Sequence, residues 1–217
     1  MITKSSTAFG YFMLLAKMPS FLSAIFGVSI ENNGTLSAVA TGSTSISASV
    51  APVLARLMIN RCPSIRKIAI RKIFQTISMI GPALTLVLIT MLECNLWAAI
   101  TLMCVALLFF GFLTGGEFTV ISDFAPNFAG SVMGFCHLLP NAMGIVGPYV
   151  VGLILDSELM GSVNQKWNII FYITAGYFIA GSIVFIIFAT DTQQSWDLKF
   201  NENNMKNEVK EDKKIRR

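Results

Sequence analysis

Three polar side chains stand inside long apolar runs, where they could take part in binding or proton transfer. Glu117 is an acid well inside such a run, and a carboxylate there could carry a proton or bind a coupling cation. His137 is the sole histidine and could shuttle protons or contact a substrate, and Asn141 follows one helical turn later on the same face. The alternatives stay open: Glu117 could reach water or a base, and the other two could be hydrogen-bonded packing residues.

A short polar elbow, residues 123–128, separates two of these runs. Asp123 could pair with a nearby base, and Pro126 would fix the direction in which the next helix starts. Arg71 and Lys72 are the expected partners of Asp123, so these four residues form a candidate gate that favours one conformation. The alternatives are that Asp123 caps the next helix and that the basic pair merely sets orientation in the membrane.

Glycines recur along the run that follows the elbow. Gly130 and Gly134 are four residues apart, and Gly144 and Gly147 precede Pro148. Small residues at this spacing let two helices approach closely, and a proline bends a helix. We therefore predict helix packing at these five positions. A further hypothesis is that this bendable helix slides against a partner during a conformational change.

The composition indicates a membrane protein. Of the 217 residues, 54% are hydrophobic and only 13% are charged, whereas about 25% are charged in soluble proteins. The sequence has no phosphate-binding glycine loop, no paired catalytic carboxylates and no His or Cys cluster at metal-ligand spacing. We therefore predict an all-α, multi-pass bundle that is not an enzyme and holds neither a metal nor another cofactor.

Six apolar runs reach or approach the length that crosses a bilayer, about 20 residues. Pro19 interrupts the first run, which is expected to end near it. The predicted spans are residues 8–20, 35–59, 73–92, 96–118, 128–155 and 167–190, which together make a membrane domain over 1–190. Residues 191–217 are charged, lysine-rich and nearly free of aromatic side chains, so we predict a disordered tail.

Lysine and arginine placement predicts the orientation. Of the 16 basic residues, all but Lys17 and Lys166 lie at the chain start, which holds Lys4, in the 56–72 stretch or in the tail. Basic loops stay in the cytoplasm, so both chain ends and the elbow are expected there. Anionic lipid headgroups explain the 56–72 stretch better than nucleic acid does, so the lipid bilayer is an expected partner and nucleic acid is not.

The elbow resembles the anion and phosphate transporter branch of the major facilitator superfamily, which includes sialin, the vesicular glutamate transporters and the sodium-dependent phosphate cotransporters. The chain is most similar to the invertebrate inorganic phosphate cotransporters, and the resemblance extends to about Asp197. The matching residues are Gly111-Phe112, Gly116, the whole segment from Asp123 to Gly130, Met133-Gly134, Gly147-Pro148, Gly152, Met18 to Phe21, Asn33-Gly34, Arg71-Lys72, Trp167, Phe171, Gln194 and Trp196.

The resemblance implies the carboxy-terminal six-helix half of a twelve-helix major facilitator fold, with its first helix cut short. It implies symport of a small organic or inorganic anion with sodium or a proton by alternating access against the missing amino-terminal half. Residence in the plasma membrane or an endolysosomal or vesicular membrane follows from the same likeness. The alternative is a truncated protein that does not transport and acts as an assembly partner or remnant. Pro52 and Arg56 depart from the family, which usually has Gly and Asp there, so the gate is expected to be altered.

Overall fold

The computed structural model describes residues 1–29, 34–92, 95–157, 161–190, 192 and 194–198, and the backbone of residues 30–33. Helices dominate these residues, and none of them lies in a strand. The helices are α1 (Ile2–Phe26), α2 (Ile30–Arg61), α3 (Lys67–Met91), α4 (Leu96–Phe110), α5 (Glu117–Phe124), α6 (Ala129–Asp156) and α7 (Val163–Phe188), with 3-10 turns at Gly111–Gly115 and Pro126–Phe128. Six segments are long and apolar enough to cross a membrane, because α4, the first 3-10 turn and α5 form one of them. The prediction of an all-α membrane bundle is confirmed.

α1 is central to the bundle. It packs against both α6 and α7, while α3 packs between α4 and α7, and α2 lies against α4 and the first 3-10 turn. Large side chains at these contacts are fully or almost fully buried, among them Leu22, Met79, Leu86, Trp167 and Phe178. α2 and α6 bury the smallest share of their residues, so each leaves a broad face uncovered.

The prediction that the first span is short and ends near Pro19 is wrong. α1 continues through Pro19 to Phe26 and has 25 residues, enough to cross a membrane. A proline inside a membrane helix is tolerated where neighbouring groups stabilise the freed backbone. Here the turn after Pro19 is held by packing, because Phe21 is buried and makes edge contacts with Trp167 and Phe171 of α7.

The fourth span is not one regular helix. α4 ends at Phe110, a 3-10 turn occupies Gly111–Gly115, and α5 begins at Glu117. A Cβ atom at Gly111 would lie 2.7 Å from the Thr44 carbonyl oxygen and 2.8 Å from the Ala48 nitrogen, so only glycine permits this approach to α2. The break therefore lets the chain pass close to α2, and α5 carries the span on to Phe124, beyond the predicted end at 118.

The other helices differ from the predicted spans mainly at their ends, because the sequence pattern locates the apolar part of a helix and not its polar first turn. α7 illustrates this difference: it begins at Val163, not at 167, because Ser162 and Gln165 form a capping box. α3 likewise begins six residues before the predicted span, in its basic first turn.

The prediction of disorder from residue 191 onward is wrong for residues 194–198, which lie against the elbow. Residues 195–198 form a helical turn, and the Trp196 ring packs against the rings of Phe124 and Phe128. These contacts bury aromatic surface that a freely mobile tail would leave exposed. The prediction for residues 199–217 lies outside the described residues.

Candidate functional site

A cavity of about 340 Å³, here called the central cavity, lies between α1, α2, α6 and the segment from Phe110 to Phe118. It brings together the three residues that the sequence predicts for a substrate or ion path, because Glu117, His137 and Asn141 all line it. Much of the remaining wall is aromatic or hydroxylic, with Tyr11, Phe12, Thr44 and Thr114. An apolar cavity with a few convergent polar groups is the usual form of a small-molecule site.

Glu117 is held in place by uncharged partners. Its side chain is almost fully buried, and its Oε2 accepts hydrogen bonds from Gln75 Nε2 at 3.3 Å and from Thr7 Oγ1 at 3.5 Å. Gln75 also accepts a hydrogen bond from the Glu117 backbone nitrogen at 3.1 Å. Glu117 is therefore enclosed by the bundle, and the alternative that it reaches water or a base stays open, since Lys4 lines the same cavity.

Gly116 makes this arrangement possible. It joins the 3-10 turn to α5, and a Cβ atom on it would lie 2.9 Å from the backbone nitrogen of Gln75. Because this residue lacks a side chain, α5 can begin directly beside α3. The glycine pair that ends the fourth apolar run thus positions the carboxylate that follows it.

His137 and Asn141 lie on the cavity face of α6. They are four residues apart, so they share one face of the helix as the sequence predicts. The His137 ring lies 5.9 Å from the ring of Phe118, centroid to centroid, and its Nε2 lies 3.3 Å from Lys4 Nζ. Asn141 is exposed at the cavity wall.

Lys4 is the cavity residue that sequence reasoning missed. The short polar start of the chain resembles a loop, and Lys4 was counted among the basic residues that set orientation. It lies instead in the first turn of α1, where it is buried and lines the central cavity. The spacing of Lys4, Thr7 and Tyr11 at intervals of three and four residues is the signal that could have revealed a shared helix face.

The elbow contains the ion pair of the candidate gate. Arg71 Nε lies 3.2 Å from Asp123 Oδ2, and Arg71 Nη1 donates a hydrogen bond to the Gly115 carbonyl oxygen at 3.2 Å. Pro126 opens the 3-10 turn that joins α5 to α6. The structure thus brings Arg71, Asp123 and Pro126 together at one end of the bundle.

Two other expectations for the elbow are wrong. Lys72 does not pair with Asp123: its Nζ donates to the Ile186 carbonyl oxygen at 2.7 Å, because it points from α3 toward α7. Asp123 also does not cap the next helix, since it lies near the end of α5 and the residue before α6 is Phe128.

Comparison with known proteins finds homologues among the transporters that the elbow resembles. Human sialin is 26% identical over 188 residues, and the "Putative inorganic phosphate cotransporter" of Drosophila ananassae is 28% identical over 194 residues. The sodium-dependent phosphate transport protein 1, chloroplastic, of Arabidopsis thaliana is 25% identical over 181 residues. This chain is a homologue of sialin and of the phosphate cotransporters. No family model matches it.

These alignments cover most of the sialin-related chain but little of its relatives. They include 87% of the chain for the first two proteins and 83% for the third. The same alignments include 37%, 39% and 33% of the respective relatives, so the chain spans between a third and two fifths of their length. The six helices able to span a membrane are consistent with half of a major facilitator fold.

The glycines of α6 in this sialin homologue lie in two different environments. Gly144 and Gly147 face α1, where an added Cβ atom would lie 3.1 Å from Phe12 and 3.5 Å from Phe9. The packing prediction therefore fits these two positions, and Pro148 lies inside the helix beside them. A Cβ atom on Gly130 or Gly134 would meet no described atom within 4 Å, so for these two positions, which lie nearer the elbow, packing stays a prediction.

Proposed function

We propose that the chain is the carboxy-terminal half of a secondary active transporter that moves a small anion, such as phosphate, in symport with sodium or a proton. The observation that carries this proposal is the convergence of Glu117, His137 and Asn141 on the central cavity. Its relatives include a phosphate cotransporter and a sodium-dependent phosphate transport protein by name, which supports both the anion and the coupling.

Glu117 suits the role of the coupling site. A carboxylate inside a membrane domain is costly, and such residues commonly mark ion or proton paths. The hydrogen-bond partners found for its side chain among the described residues, Gln75 and Thr7, are both uncharged, so a sodium ion or a proton could still bind the carboxylate. Binding of the cation there would lower the cost of bringing an anion into the same cavity.

Alternating access would need a second half. In secondary transporters the substrate site lies between two repeats that rock against each other. α2 and α6 both border the central cavity and leave broad faces uncovered, so an amino-terminal six-helix half would fit there. The Arg71–Asp123 pair would act as a gate at the elbow. We propose that the elbow faces the cytoplasm and that the membrane is the plasma membrane or an endolysosomal or vesicular membrane.

The proposal is tested by measuring equilibrium binding of radiolabelled inorganic phosphate to the purified 217-residue chain in lipid nanodiscs, with sodium or choline as the cation and at two pH values. We expect phosphate binding that rises with sodium or with proton concentration. Glu117→Gln keeps both Gln75 contacts possible but removes the charge, so it should weaken the cation dependence by about tenfold, the value of one charged contact.

Asp156→Asn is the matched control, because Asp156 is an exposed acid at the end of α6 and does not line the central cavity. It should bind phosphate with unchanged cation dependence. Absence of phosphate binding under every cation condition by a chain that stays folded would contradict the proposed anion. Equal cation dependence in wild type and Glu117→Gln would contradict the role of Glu117.

A further inference from the structure

Lys4 lies between two cavities. It lines the central cavity together with Glu117, and the same two residues line a second cavity of about 590 Å³, here called the elbow-side cleft. The cleft is bordered by the last residues of α7 and by α5, including Phe124 and Phe188. The two charged side chains therefore lie where the central cavity and the elbow-side cleft adjoin.

The hydrogen-bond partners found for the Lys4 ammonium among the described residues are uncharged. Its Nζ lies 3.4 Å from Met133 Sδ and 3.3 Å from His137 Nε2, and it sits 4.4 Å from the centre of the Phe118 ring. An ammonium can only donate, so His137 Nε2 accepts, and its ring proton is assigned to Nδ1. A thioether sulfur and an aromatic ring are weak partners for a full positive charge.

Lys4 and Glu117 also remain apart. The salt bridge found within 4.0 Å among the described residues joins Arg71 to Asp123, not Lys4 to Glu117. The two opposite charges line one cavity without forming a salt bridge, so each can contact a ligand there. Burial of an ammonium that is not salt-bridged is costly, and an anion seated against it would recover part of that cost.

We propose that Lys4 is the anion-recognising residue of the central cavity, that His137 orients its ammonium, and that the ligand is a small oxyanion such as phosphate. The inference rests on the proposed function and assigns the transported anion and the coupling cation to two different charged side chains. Lys4 takes the anion, and Glu117 takes the coupling cation. The anion would displace the weak Met133 contact and accept hydrogen bonds from the Lys4 ammonium.

The experiment measures how the charge of the central cavity affects the modification rate of a thiol, so it does not depend on transport. The four native cysteines are replaced by serine, and Ala48→Cys places a single reporter thiol in the cavity wall. The rates of modification by an anionic (sulfonate) and a cationic (trimethylammonium) methanethiosulfonate reagent are then compared, with and without inorganic phosphate. Variants are Lys4→Met, Lys4→Arg and the matched control Lys17→Met, which removes a lysine about 20 Å further along α1.

We expect Lys4→Met to lower the ratio of anionic to cationic modification rates by about fivefold, the effect of one charge in a wet cavity on two oppositely charged reagents. Lys4→Arg should keep the ratio within about twofold, since it keeps the charge, and Lys17→Met should leave it unchanged. Phosphate should slow modification when Lys4 is present and should not do so in Lys4→Met.

Equal ratios in wild type and Lys4→Met would overturn the inference, as would phosphate protection that survives the loss of Lys4. If the ratio depends on Lys4 but phosphate never protects the thiol, the result supports Lys4 as the charge that attracts anions. The same result contradicts phosphate as the transported anion of the proposed function. Lys4→Arg, which keeps the charge, also separates a folding defect from a loss of charge.

Discussion

Arg71 holds two segments of the chain with one side chain. Its guanidinium pairs with Asp123 at the end of α5 and donates to the carbonyl oxygen of Gly115 in the 3-10 turn before it. Asp123 is partly exposed, so the ion pair itself contributes little, whereas the Gly115 bond is buried. The ion pair and the hydrogen bond therefore contribute unequally to the stability of the fold, although both are made by Arg71.

This difference predicts an order of destabilisation in thermal unfolding of the detergent-solubilised chain. Arg71→Met should cost about 2 kcal/mol because it removes the ion pair and also the buried hydrogen bond to the Gly115 carbonyl oxygen. Asp123→Asn should cost about 1 kcal/mol or less, as expected for a partly exposed pair. Lys72→Met is the matched control, since its bond to Ile186 is exposed and it should change stability least. A larger effect of Lys72→Met than of Arg71→Met would contradict this account.

The residue predictions succeeded where helical spacing alone was enough and failed where tertiary packing decided. His137 and Asn141 share a face because they are four residues apart, which any helix enforces. Arg71 and Lys72 are adjacent, so their side chains point in different directions, and only the packing of α3 determines which of them meets Asp123. Lys4 was missed because a polar chain start resembles a loop until α1 is seen to begin at Ile2.

Among the elements, the segment 194–198 has an unexpected role at the elbow. Asp197 is fully buried, and its carboxylate accepts hydrogen bonds from the Asn127 backbone nitrogen at 3.2 Å and from Asn127 Nδ2 at 3.0 Å. The Gln194 backbone nitrogen donates to the Phe124 carbonyl oxygen at 3.2 Å. The segment after α7 thus binds both ends of the elbow, and a composition count over the whole tail could not separate it from the charged residues that follow.

We predict that Asp197→Ala loosens the elbow. Loss of the carboxylate removes the bond to the Asn127 backbone nitrogen, so hydrogen exchange at that amide should rise by about tenfold, equivalent to one charged hydrogen bond. Hydrogen-exchange mass spectrometry of the 217-residue chain measures it. Leu198→Ala is the matched control, because Leu198 is its exposed neighbour and should leave exchange at residues 123–128 unchanged. Unchanged exchange in Asp197→Ala would show that the segment does not hold the elbow.

At the scale of the whole molecule, α2 and α6 differ from the other helices in the small share of their residues that is buried, and the exposed face of α2 carries the clearer signal. α2 is rich in serine and threonine, and several of these hydroxyls bond to carbonyl oxygens four residues earlier, as Ser45 does to Thr41 and Ser49 does to Ser45. Ser45 and Ser49 are exposed in the chain by itself, beside exposed apolar residues such as Ile46. Small hydroxylated residues favour close contact between helices in membranes, so this face suits a protein partner better than lipid.

The proposed partner half leads to a test on this face. When the 217-residue chain is co-expressed with a tagged segment comprising the amino-terminal six helices of the Drosophila ananassae relative, we expect the two to copurify. Ser45→Trp should abolish copurification because a large ring prevents close approach of α2. Ile183→Trp is the matched control, since Ile183 is exposed on α7, which does not line the central cavity. If both variants copurify as wild type does, the α2 face is not where the partner half binds, whereas loss with Ile183→Trp alone would move the interface to α7.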